Sequence, residues 1–179
     1  MLLNILFILA LTFPVAVAAT AFGIEEKKEW GRSVMFALIL ALGQGVMYSL
    51  GSLLGGTFMH TMASVSKWIV FALCFAIAFR MLIDTLKIKN GTNLYLIEKK
   101  KHLLLLSVAL GVNAFIAGLM ADFMPLFQNM TPYIIMAVAF VWAIVSILIP
   151  FSKMKLTVNS LLNVIFSAII VVIGIAHVF

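Results

Sequence analysis

Three charged side chains stand inside long apolar runs of this sequence: Arg80, Asp84 and Asp122. In lipid each costs about 2.5–3.5 kcal/mol at the centre of a span on insertion scales, which makes each a candidate for function. Arg80 and Asp84 are four apart, one helical turn, and can form an ion pair or a gate. They lie near the end of their run, where arginine can also snorkel to the interface. Asp122 has no basic neighbour in sequence; it is expected at the outer end of its run, solvated or lining a mouth.

Uncharged polar residues recur at helical spacing. Gln44, Tyr48, Gly51 and Gly55 fall within about 60° of one another around a helix axis. Asn159, Asn163, Ser167, Gly174 and His177 share another face, and Ser107, Gly111, Gly118 and Asp122 a third, with Asn113 pointing to a different side. Small residues let helix backbones approach and amides bond across helices, so such faces serve equally as packing seams or as walls of a polar path. Pro14, in the middle of its run, frees the carbonyl of Ala10 and is expected to kink or break the helix there. Carbonyls exposed at such a break can ligate cations.

The elements that must hold these residues follow from composition. Of 179 residues 65% are hydrophobic and 10% charged, against about 45–50% and 25% in a soluble domain. That excludes a water-soluble enzyme. Six apolar runs, roughly Leu2–Phe22, Val34–Phe58, Trp68–Leu86, Leu103–Met124, Tyr133–Phe151 and Val158–Phe179, each approach the length of about 20 residues that spans a bilayer. The first ends in small residues, Ala16 to Ala19, that resemble a cleavage site. It lacks the basic start of a signal peptide and is expected to stay as a span.

Orientation comes from the basic residues. Lys27, Lys28 and Arg32 fall in the first connection, Lys87, Lys89, Lys99, Lys100 and Lys101 in the third, Lys153 and Lys155 in the fifth. Ten of the twelve thus lie on one side, and the positive-inside rule makes that side cytoplasmic with both termini outside. The cluster at Lys99–Lys101 reads as an anchor beside anionic lipid rather than a nucleic-acid patch. Cys74 is the single cysteine, within an apolar run, and reads as a small core hydrophobe. His60, His102 and His177 have no metal-ligand spacing and are read as interfacial. The Asn90 and Asn129 glycosylation patterns are disfavoured by a cytoplasmic loop and by closeness to a span. No nucleophile–base pair, phosphate loop or zinc pattern is present, so nothing argues for an enzyme or a bound cofactor.

Shifting the chain by 98 residues lays Ala10–Thr20 over Val108–Gly118, with Ala16 and Ala19 on Ala114 and Ala117. Two halves of three spans enter a membrane in opposite senses, the inverted-repeat plan of many secondary transporters. The expectation is an all-α integral membrane protein of six transmembrane helices in two inverted three-helix repeats. They form a single domain over 1–179 with halves at about 1–90 and 100–179.

On the motifs Val15-Ala16-Val17-Ala18-Ala19-Thr20, Asn113-Ala114-Phe115-Ile116-Ala117-Gly118, Gln44 with Gly51, and Phe79-Arg80-Met81-Leu82-Ile83-Asp84, the chain resembles the small bacterial manganese efflux pumps of the MntP type. The resemblance extends over essentially the whole chain at low identity. It implies a multi-pass protein of the bacterial inner membrane that exports Mn²⁺ as substrate. Its partners would be the lipid bilayer and the transported ion or small solute. The family carries acids where this chain has Val15, Gln44 and Asn113, and its third-span motif is one residue shorter here between arginine and acid. By that resemblance the pathway includes Pro14, Val15, Thr20, Gln44, Tyr48, Asn113 and Asp122, with Arg80 and Asp84 as gate or structural pair. Candidate metal ligands are Gln44, Asn113 and Asp122. Mn²⁺ favours carboxylate, carbonyl and water oxygens. Three losses of charge therefore predict weak Mn²⁺ affinity, or a less charged solute such as an amino acid or monovalent ion, or a scaffold that no longer transports.

Overall fold

The computed structural model describes residues 2–25, 30–62, 65–89, 100–124, 130–148 and 154–178. Within them run α1 (Leu2–Glu25), α2 (Trp30–Met62), α3 (Ser66–Lys89), α4 (Lys100–Leu119), α5 (Thr131–Leu148) and α6 (Met154–Val178). No strand occurs among the described residues. Lys27, Lys28, Lys99 and Lys153 of the topology argument, the patterns at Asn90 and Asn129, and the run ends Phe151 and Phe179 lie outside the described residues.

Helices are what lipid allows, because each backbone group must find its partner inside its own segment. Five of them contain stretches long and apolar enough to cross a membrane: Leu2–Thr20, Trp30–Thr57, Ser66–Leu86, Thr131–Leu148 and Val158–His177. The apolar part of α4, Leu103–Leu119, is shorter. Counted from Lys100 that helix has 20 residues and so measures about 30 Å, still a bilayer core. The expected run to Met124 stops early. After Leu119 the chain turns tightly, with Ala121 N donating to Gly118 O and Met124 N to Met120 O. Pro125 follows in sequence and disfavours helical geometry at Met124.

Exposure is inverted relative to a soluble protein. Leu53, Trp68, Leu105 and Leu161 are more than 60% exposed, while Thr20, Gln44, Asn113, Asn163 and Ser167 are buried. Exposed leucine with buried amide suits lipid outside and hydrogen bonds inside. The most enclosed helix is α1, buried at nearly every residue from Phe7 to Thr20. A helix hydrophobic all round is a helix surrounded by others. It runs through Pro14 as one unbroken helix, so the break expected there is not formed. Pro14 and Ala10 are both buried, and enclosure by neighbouring helices is what tolerates a proline at this depth.

Helix directions can be read from contacts. Along α2, Gly43 faces Ser107, Met47 faces Gly111, Gly51 faces Phe115 and Gly55 faces Leu119, so α2 and α4 run parallel. In α3 and α6, Met81 and Thr85 meet Asn163, whereas Cys74 meets Gly174, so those two run antiparallel. Thr20 with Asn159 and Phe13 with Phe166 make α1 and α6 antiparallel as well. α1 and α3 therefore run in the sense opposite to α6, and α2 and α4 share one sense. The main pairings are α2 with α4 and α5, α1 with α5 and α6, and α3 with α6.

Candidate functional site

The α2–α4 seam is built from glycine. A side chain at Gly51 or Gly118 would meet the backbone of the facing helix at once. Ser107 adds a bond across the same seam, its hydroxyl donating to Ile39 O at 2.9 Å. The faces of α2 and α4 that the sequence marks are thus packing seams over most of their length.

Asn113 lies on another side of α4, as its position around the helix requires. It is 1% exposed, and its Oδ1 accepts a hydrogen bond of 2.8 Å from Arg80 Nη1 on α3. Arg80 Nη2 donates to the backbone oxygen of Ala109, one turn earlier on α4. The guanidinium therefore forks across a single turn of the neighbouring helix, a planar two-point grip suited to arginine. Both of these bonds run sideways to α4. Asp84 stands half-buried one turn further along α3.

Gln44 is equally buried, 1% exposed, and its Oε1 has no hydrogen-bond partner. Gly43 beside it faces Ser107 and Gly111, which puts Gln44 at the depth of Ala109. Trp142 Nε1 and Asn163 Oδ1 are the other buried polar side-chain atoms without partners among the described residues.

The remaining candidates are scattered along the bundle. Tyr48 bonds Thr131 at the start of α5, and Asp122 is close enough to act on it electrostatically. Asp122 is exposed, with Oδ2 3.2 Å from where a side chain at Gly56 would begin. Together these form one end of the bundle. Val15 is buried in an apolar cluster with Ala18, Ala19, Phe36, Leu40 and Leu106. Thr20 donates to Ala16 O and accepts from Asn159 Nδ2, both at 2.8 Å, tying α1 to α6. Pro14 is enclosed within α1. Asn163 Nδ2 reaches Met81 O at 3.0 Å and Thr85 Oγ1 at 2.7 Å.

So the structure joins Arg80 to Asn113 and sets Gln44 at a matching depth, while Asp122 stands past the end of α4. Gln44, Asn113 and Asp122 are spread over two levels. Among the described residues no group of three or more His, Cys, Asp or Glu is placed to hold a metal. Two contributors carry no sequence signal for this role. Ala109 acts through its backbone oxygen, and Thr131 looks like an ordinary helix-starting Thr-Pro pair.

Residues 27–178 match the family described as "Putative manganese efflux pump". A protein of Bacteroides thetaiotaomicron called "Putative manganese efflux pump MntP" is 25% identical over 96 residues, 54% of this chain and 50% of that protein. The alignment thus spans about half the length of that relative. No solved structure matches. With the family match covering all but the first helix and the last residue, this chain belongs to the manganese efflux pump family.

Proposed function

We propose that this protein is a secondary transporter of a bacterial inner membrane that exports a divalent cation, Mn²⁺, with both termini outside the cell. The observation that carries this is the family match across five of the six helices. Five helices long and apolar enough to cross a membrane, with buried amides beneath exposed leucines, agree with it. The helix pairings support an inverted repeat in part: exchanging α1, α2 and α3 for α4, α5 and α6 turns the α2–α4 pairing into α5–α1 and leaves α2–α5 and α3–α6 unchanged, whereas α1–α6 becomes α4–α3, which is not a main pairing. No nucleophile, cofactor or nucleic-acid surface enters this reading.

Expression in a host stripped of its own manganese exporter is expected to restore growth at high Mn²⁺. Absence of rescue with the protein present in the membrane refutes the manganese assignment. Reporter fusions should place both ends outside; a cytosolic end contradicts the orientation.

Arg80 favours a second reading. At an effective dielectric near 20, a divalent ion about 5 Å from a guanidinium is repelled by about 7 kcal/mol. The oxygens at this depth, from Asn113, Gln44 and Ala109, are all uncharged. A less charged solute, an amino acid or monovalent ion, meets that environment at lower cost. Stabilisation by such a solute and not by Mn²⁺, measured as a shift in Tm, would establish it. For the manganese reading to hold, Arg80 has to move.

A further inference from the structure

We propose that the exported solute enters from the cytoplasm through a wedge between α3 and α4, and that Arg80 stops this wedge at its apex. The proposal deepens the efflux reading and rests on it.

α3 and α4 share a core over only part of their length. Toward one end Val70, Cys74 and Ile77 of α3 cluster with Ala114 and Ala117 of α4. Cys74 Sγ there lies 3.9 Å from Met120 Sδ, just past the end of α4. Further along α3 comes the Arg80 fork to Asn113 and Ala109, so the two helices run antiparallel. Beyond the fork they turn to different neighbours. α3 packs on α6, where Met81 and Thr85 meet Asn163. Leu103 and Leu106 of α4 join the cluster of α1, α2 and α5, which contains no described residue of α3. Ala109 is exposed, and Leu105, one turn earlier on the same side of α4, is 67% exposed.

The seam therefore opens toward the end where Lys87, Lys89, Lys100 and Lys101 stand in sequence, the end that the positive-inside rule gives to the cytoplasm. Between α1 and α6 the same end is tied shut, because Asn159 binds Thr20 at 2.8 Å. Lipid against leucine would explain exposure alone, but it does not explain the charges. Arg80 at the apex and Asp84 one turn nearer the mouth are both half-buried on α3. Ionisable groups at membrane depth face the bundle interior or a water-filled cavity, and they mark the paths of solutes. Past Arg80 the route meets the shared core, where Ile116 packs. The fork is thus the last barrier between the wedge and the packed half of the seam.

The test places single cysteines in a Cys74→Ala background, in membrane vesicles with the cytoplasmic face outward. The probe is a charged, membrane-impermeant methanethiosulfonate. Ala109→Cys is expected to react at least about tenfold faster than Val108→Cys, because only a wetted thiol ionises. Val108 is the lipid control, 52% exposed and a quarter-turn round α4 from Ala109. Ile116→Cys, two turns past Ala109, should stay unreactive until Arg80→Gln is added. Equal rates at Ala109→Cys and Val108→Cys overturn the wedge as a wet entrance. Equal rates at Ile116→Cys with and without Arg80→Gln overturn Arg80 as its stop. If Arg80→Gln does not fold, Arg80→Met makes the same comparison. Labelled Ala109→Cys should also lose Mn²⁺ flux in proteoliposomes. Flux that survives the label overturns the entrance and leaves the efflux reading intact. No Mn²⁺ flux by the unlabelled wild type overturns the efflux reading itself, and the entrance with it.

Discussion

Gly118→Leu is expected to abolish the folded protein or lower its stability by at least about 3 kcal/mol, the upper end of overpacking costs. A side-chain carbon at Gly118 would stand 2.8 Å from Ser52 N and 3.0 Å from Gly51 C, and against Tyr48 O. All three are backbone atoms, so no rotamer change relieves the collision. Bilayer lipid is as apolar as leucine, and close backbone packing is therefore what holds α2 to α4. Separating them would also displace Tyr48 from Thr131 and shift Gln44 relative to Ala109. Gly31→Ala, at the start of α2, is the control. Nothing lies within 4 Å of it, and its change should stay within about 1 kcal/mol on the stabilising side. Thermal unfolding of the monodisperse fraction in detergent reads both. An unchanged Tm for Gly118→Leu would mean the seam is not formed.

The seam was legible because glycine at helical spacing has few other uses inside a span. Six helices were legible for a similar reason: continuous apolar runs of about 20 residues suit helices, whereas barrel strands alternate. What periodicity cannot supply is the identity of the facing helix. Asn113 was marked as pointing away from the Gly111–Gly118 face, and it does, but only the packing of α3 beside α4 gives it Arg80. The Arg80–Asp84 spacing suggested a gate or structural pair along one helix, and periodicity could not add that Arg80 also reaches across to Asn113 Oδ1 and the Ala109 backbone oxygen on α4. Pro14 allowed either a kink or a break, and of the two the break does not form, because enclosure of α1 by its neighbours keeps the helix continuous. On the α6 stripe two amides bind across helices, Asn159 to Thr20 and Asn163 to α3, partners that spacing along α6 could not name.

A double-mutant cycle on Arg80 and Asn113 should return a coupling of about 1.5–3 kcal/mol, the range for hydrogen bonds to charged groups. Neutral interhelical bonds in membranes average about 0.6 kcal/mol, so a value near that would demote the pair to ordinary packing glue. Arg80→Leu leaves the Asn113 amide, 1% exposed, without the partner on its oxygen. Asn113→Leu leaves the guanidinium with Ala109 O as its bond to α4. Each single change is expected to cost about 2–3 kcal/mol, because a buried polar group losing its partner forfeits its full desolvation cost. Leucine at both positions removes the polar groups together, and its loss should fall short of the sum of the singles by the coupling energy. Unfolding in detergent micelles by a chemical denaturant gives all four corners. A coupling of zero would mean that the Arg80–Asn113 bond does not hold α3 to α4.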